Sequence, residues 1–178
     1  MRCKNLGGVM ASVLLAAGSL AQADTFKVWS PDVIAGHFAL AQVFNRSDCR
    51  GANVPPRLEW SGEPAGTQGF VVTLFDPDAR SGQGWWHWVV SGIPATVHSL
   101  QAATGLPPGA VETRNDFGLP GYGGPCPPQG SAHHYRIEVF AIGADSPGIK
   151  PDTPPARAGA LARAASIGKA SLVVLYAR

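Results

Sequence analysis

The stretch Phe70-Val71-Val72-Thr73-Leu74-Phe75 is hydrophobic on both sets of alternating positions. A strand with one wet face would alternate apolar and polar residues, so this pattern predicts a central strand buried on both sides. It stops at Asp76-Pro77. Trp86-His87-Trp88-Val89-Val90 is a second such run, with a Ser91-Gly92-Ile93-Pro94 turn expected to end it. The short connection from Asp78 to Gly84 predicts that the two strands pair antiparallel. In the third run, alternation sorts the residues. His133, Tyr135, Ile137 and Val139 share the apolar face, whereas His134, Arg136 and Glu138 share the other. His133 and Tyr135 are therefore expected inside, and His134 in solvent.

The C-terminal pattern changes period. Thr153-Pro154-Pro155 offers a cap and early-turn prolines, Ala156 to Ile167 predicts a helix, and Gly168 is its expected stop. Ser171 to Tyr176 predicts a last strand, and Phe26 to Phe44 holds weaker strand patterns. No repeat, linker or low-complexity tail interrupts the chain. With 22 glycines and 16 prolines, it reads as strands joined by structured loops.

Composition changes this picture mainly at the N-terminus. Met1-Arg2-Cys3-Lys4 is a positive start, Val9 to Ala17 is apolar, and Ala21-Gln22-Ala23 is a small-x-small cleavage site. The apolar stretch falls short of the roughly 20 residues that span a bilayer. Residues 1–23 therefore predict a secretory signal peptide, leaving residues 24–178 as one periplasmic or secreted domain without a transmembrane span. Cys3 precedes the apolar stretch, which argues against lipid attachment. Losing Arg2 and Lys4 takes the formal net charge of +2 to zero. With no basic run either, nothing points to nucleic acid or an acidic membrane surface. Cys49 and Cys126 remain, and an even count in an exported chain favours a disulfide over two buried thiols.

The candidate chemistry centres on DPDARSGQGWWHW, Asp76 to Trp88. Asp76 and Asp78 follow a buried strand, where a carboxylate can accept loop amides or hold a histidine in one tautomer. They can equally be turn formers. His87 can donate to an anion, bind a metal or be a satisfied core residue. Trp85, Trp86 and Trp88 suit either core or pocket wall. The loop from Gly121 to Pro128 can cradle an oxyanion on its amides or be a rigid structural turn. No GxSxG elbow is present. Zinc could draw on His87, His133 and a carboxylate, but the HExxH and HxxH spacings are absent.

These pieces occur together in one family. FDPDA, GWWHWVVSGIPA, TRNDFGLPGYGGPCPPQG and HHY, in that order, resemble the phosphatidylethanolamine-binding protein family, the Raf kinase inhibitor-like proteins, and most closely its bacterial YbhB/YbcL-type branch. Gly51-Ala52-Asn53-Val54-Pro55-Pro56, followed by Leu58 and Trp60, resembles a further element of that branch, with Val54 where a serine is usual. The resemblance implies a mainly β fold: an antiparallel Greek-key sandwich with a few peripheral helices, including a C-terminal helix followed by a last strand. It also implies a small anion pocket formed by Asp76, Asp78, His87, Pro127, Pro128, His133 and Tyr135, with Trp86 or Trp88 as wall. Arg80 stands where the family has proline, and is a candidate anion contact. The implied function is non-catalytic binding of a phosphate-like group or phospholipid head group, with no cofactor. Two other readings stand beside it. One is a module that binds or inhibits an envelope or extracellular protein through exposed loops. The other, ranked last, is a metal-assisted hydrolase.

Overall fold

A computed structural model describes residues 25–101 and 104–178. The signal peptide expected over residues 1–23 lies outside the described residues. The elements run β1 (Lys27–Trp29), β2 (Val33–Ile34), β3 (His37–Phe38), β4 (Leu58–Ser61), β5 (Gly69–Asp76), α1 (Ala79–Gly82), β6 (Trp85–Pro94), β7 (Ser99–Leu100), β8 (Val111–Glu112), β9 (Ala132–Ile142), α2 (Pro155–Ala165) and β10 (Ser166–Ala177). They form a seven-stranded sheet, ordered β2-β3-β10-β9-β5-β6-β8, and a three-stranded sheet, β1-β4-β7. The pairings are antiparallel except for one parallel contact of β10 with β3.

The place of β5 explains its doubly apolar sequence. It lies between β6 and β9. Phe70, Val72 and Leu74 on one face join Leu58, Trp60, Trp88, Ile137 and Val139 in the main core. On the other face, Val71 packs with Val89, Phe140 and Ile142 beneath Ala158 and Ala162 of α2. Gly159 lets α2 sit this low, because a Cβ there would fall 2.1 Å from the Trp86 ring.

Two expected boundaries move. Ser91 to Pro94 does not end β6. Phe70 and Val72 pair with Ile93 and Val90, so β6 carries one residue more than β5 over that step. The surplus forms a bulge, and Gly92 supplies its left-handed backbone at φ 73°. Gly168 likewise does not stop α2. Ser166 turns extended at φ −81° and ψ 138°, and β10 follows directly through Gly168. The Thr153 hydroxyl accepts the Lys150 amide at 2.9 Å, so Pro154 begins the helix without a side-chain cap.

Candidate functional site

Asp76 ends β5 at 2% exposure, and its carboxylate is shared between loop and strand. Oδ1 accepts the amides of Asp78 at 2.8 Å and Ala79 at 3.1 Å, folding the chain back just after the strand. Oδ2 accepts from Nδ1 of His133, on neighbouring β9, at 2.7 Å. A carboxylate in that position fixes the tautomer and leaves the opposite ring nitrogen, Nε2, for another partner. His134 points the other way, half exposed. Its amide and its ring both meet Asp78 Oδ2, at 2.8 and 2.9 Å. Those bonds hold the Asp78 carboxyl below its ordinary range, the His134 amide being the largest cause.

His87 enters through a second bulge. Leu74 and Phe75 are consecutive, yet they pair with Trp88 and Trp86. His87 is the extra residue, and strict alternation fails at this point. Its ring stands 5.2 Å from Tyr135 and 5.6 Å from Phe117. Nδ1–H donates to the Gly123 carbonyl at 2.6 Å, and Gly123 N–H returns a 2.9 Å bond to the His87 carbonyl. Burial pushes the His87 pKa down, against smaller upward contributions from the Gly123 carbonyl and the Asp76 charge. The free protein therefore holds His87 neutral, with Nε2 as the nitrogen left over.

Tyr135 is fully buried, its ring centre 5.2 Å from that of His87 and 6.5 Å from that of His133. Burial drives its phenol pKa far up, with the Asp76 charge adding to the effect. The hydroxyl stays neutral and, among the described residues, has no hydrogen-bond partner.

These groups border a cavity of about 470 Å³, together with Asp78, Arg80, Pro127 and Pro128. The cavity thus brings together all seven residues of the pocket that the resemblance implies. The expected wall does not: Trp86 and Trp88 both lie outside. Trp86 is turned by the bulge toward Phe75 and α2. Trp88 is in the main core, where its Nε1–H donates to Glu112 Oε1 at 2.6 Å. The aromatic wall is instead Trp85 with Phe117, ring centres 5.0 Å apart, and Phe117 stacks on Phe44 at 4.1 Å.

Asparagines and the disulfide hold the loops in place. Asn53 Oδ1 accepts the Gly124 amide at 2.8 Å, and its amide nitrogen donates to the Tyr122 carbonyl at 3.2 Å. Asn115 accepts from Phe117 and Leu119 and donates to Gly121. Asp116 Oδ2 accepts the Trp86 amide at 2.8 Å. Cys49 and Cys126 are bridged, directly before Pro127. Arg80 and Ser81 take left-handed backbone at φ 50° and 54°. A proline, the residue the resemblance leads one to expect at position 80, is locked near −65° and cannot adopt that conformation. The Arg80 guanidinium lies over the Trp85 ring, 4.1 Å from its centre. No group of three or more His, Cys, Asp or Glu is gathered to hold a metal ion among the described residues.

Comparison with known proteins places the chain in a family. A profile described as phosphatidylethanolamine-binding protein matches residues 34–177. The YbcL protein of Escherichia coli K12 is 40% identical over 176 residues, covering 94% of this chain and 96% of that protein. YbhB of the same organism is 39% identical over 139 residues, covering 75% of this chain and 88% of that one. The crystal structure of Escherichia coli YbcL superposes with a TM-score of 0.81, covering 86% of this chain and 98% of that structure. Its description calls it a member of the mammalian phosphatidylethanolamine-binding protein family.

Proposed function

Because the chain belongs to the phosphatidylethanolamine-binding protein family, we propose that it is an exported, non-catalytic protein that binds a small phosphate-like anion in this cavity. The observation that carries the reading is the disposition of two imidazoles, His87 on β6 and His133 on β9, one on each side of β5. Each has Nδ1 committed, one to the Gly123 carbonyl and one to Asp76, so each offers Nε2 to a guest. Tyr135 packs near both rings, and Pro127 and Pro128 stiffen part of the wall. The polar groups are arranged to bind and orient. Among the described residues bordering the cavity, none pairs a serine or free cysteine nucleophile with a base. Export is supported by the N-terminal pattern and by the Cys49–Cys126 bridge, which suits an oxidising compartment.

The sign of the pH dependence follows from His87. It is neutral in the free protein, and a neutral Nε2 repels an oxyanion lone pair, whereas a protonated one donates to it. Binding must therefore take up a proton. Affinity for a phosphate-monoester dianion should rise as pH falls from about 8 toward 7, and level off nearer 6 as the monoester itself gains a proton; inorganic phosphate, which takes up its proton at higher pH, should level off earlier. Titration with inorganic phosphate, followed by calorimetry and by histidine NMR, should give saturable shifts at His87 and His133. Heats that vary with buffer ionisation enthalpy would report the proton uptake. Unmoved histidine resonances across the titration would sink the reading.

A further inference from the structure

We propose that Arg80 makes the cavity selective for guests with two negative groups, and unfavourable to zwitterionic guests of the same length. One group would sit at the imidazoles and the second at the Arg80 guanidinium. The inference rests on the anion-pocket reading and specifies what that reading leaves open: the kind of molecule attached to the anion.

Charge carries the first part of the argument. Of the described side chains bordering the cavity, Arg80 alone is cationic at every physiological pH. The cavity carboxylates already have partners, Asp76 in His133 and Asp78 in His134. Among the described residues, Arg80 forms no ion pair. The guanidinium carbon lies over the Trp85 ring, 4.1 Å from its centre, and that contact consumes none of its N–H donors. A flat fork held on an aromatic wall is preorganised for a carboxylate or a second phosphate.

The backbone carries the second part. Left-handed conformation is disfavoured for a residue with a Cβ, and Arg80 and Ser81 adopt it in succession. The turn is pinned from both ends. Asp76 accepts the Asp78 and Ala79 amides, Gln83 N–H reaches the Arg80 carbonyl at 3.2 Å, and Gly84 N–H reaches the Ala79 carbonyl at 3.0 Å. Gly84 itself, at φ 82°, leaves room for the Phe75 ring. Such strain persists where the surroundings over-determine it, and here its result is to place the guanidinium at the cavity.

Size carries the third. A volume of about 470 Å³ suits a small organic molecule better than a bare oxyanion. The far end of such a guest would meet Arg80. An ammonium there would be repelled, and a carboxylate would be clasped.

Phosphoethanolamine and phosphoglycolate make a matched pair, each a phosphate monoester on two carbons, ending in an ammonium or a carboxylate. Isothermal titration of the purified protein near neutral pH, with inorganic phosphate as third probe, tests the claim. The wild type should bind phosphoglycolate at least about ten-fold more tightly than phosphoethanolamine. In Arg80→Gln the ratio should fall below about three, with phosphoglycolate losing more affinity than inorganic phosphate does. Arg80→Lys, which keeps the charge and loses the fork, should fall between. If phosphate binds but the wild type treats the two esters alike, Arg80 is not a selector. Nor is it one if Arg80→Gln keeps the wild-type ratio. Failure of all three probes to bind removes the anion pocket itself, and this inference with it.

Discussion

At the scale of single residues, Asp76 joins what the other groups need. One buried carboxylate folds the Asp78–Ala79 turn with one oxygen and orients His133 with the other. Asp76→Asn keeps the shape and removes the charge, and its amide nitrogen cannot accept. Hydrogen bonds to charged groups contribute about 1.5–3 kcal/mol, so denaturant unfolding should show a loss near 2 kcal/mol. Phosphate affinity should fall in the same variant, because His133 loses the partner that fixes its tautomer. His134→Ala is the contrasting case. Its pair with Asp78 is 61% and 42% exposed, and surface pairs contribute little. Stability there should change by less than about 1 kcal/mol, with phosphate binding retained. The choice of His133 over His134 was legible in the sequence, because one hydrophobic period decides it. The identity of the aromatic wall was not. Strict alternation gives Trp85 and His87 one face and Trp86 and Trp88 the other, but assigns neither face to the cavity.

At the scale of elements, the bulges explain what the pattern could and could not reveal. The register of β5 with β9 is regular from Gly69 to Phe75, and there apolar periodicity maps directly onto structure. The register of β5 with β6 slips twice, once beside Gly92 and once at His87. Hydrophobic pattern carries little trace of a bulge, since a bulged strand keeps its composition while changing which way side chains point. The first slip carries β6 past its expected turn, and the second brings His87 to Tyr135. The packing of α2 was also hidden, because an alanine-rich helix gives no sign of its partner. Gly159 is the contact point, where a Cβ would lie 2.1 Å from Trp86. In an isolated helix Gly159→Ala would gain up to about 1 kcal/mol of propensity. Here overpacking should outweigh that and destabilise the protein by about 1–3 kcal/mol, read as a lower melting temperature. Near-ultraviolet circular dichroism should change as Trp86 shifts.

At the scale of the whole molecule, the described residues are held by two cores on either side of the seven-stranded sheet and by a third cluster around Val43, Phe44 and Cys49. That third cluster backs the site, since Phe44 stacks on Phe117 and Cys49 is bridged to Cys126. The fold class was recoverable because four motifs occur in the right order, and the seven residues that those motifs single out do border one cavity. The turn at Arg80 was not, because the chain leaves the family pattern there. The bridge spans 77 residues, and loop-closure entropy assigns it about 4 kcal/mol. Replacing both cysteines with serine should lower unfolding stability toward that amount, measured in denaturant under non-reducing conditions.

The bridge also gives the cavity a history. Cys126 immediately precedes the Pro127-Pro128 wall, and without the covalent link that wall is tied back by the Phe44–Pro125 and Asn53–Gly124 hydrogen bonds. In a chain exported on the route proposed above, the link forms only after crossing into an oxidising space. A newly made molecule then travels with an unfinished receptacle and acquires its grip on arrival. Place of residence, and not only sequence, would set when the protein begins to hold its guest. Phosphate titrations of the reduced and oxidised protein should differ accordingly, the reduced form binding more weakly.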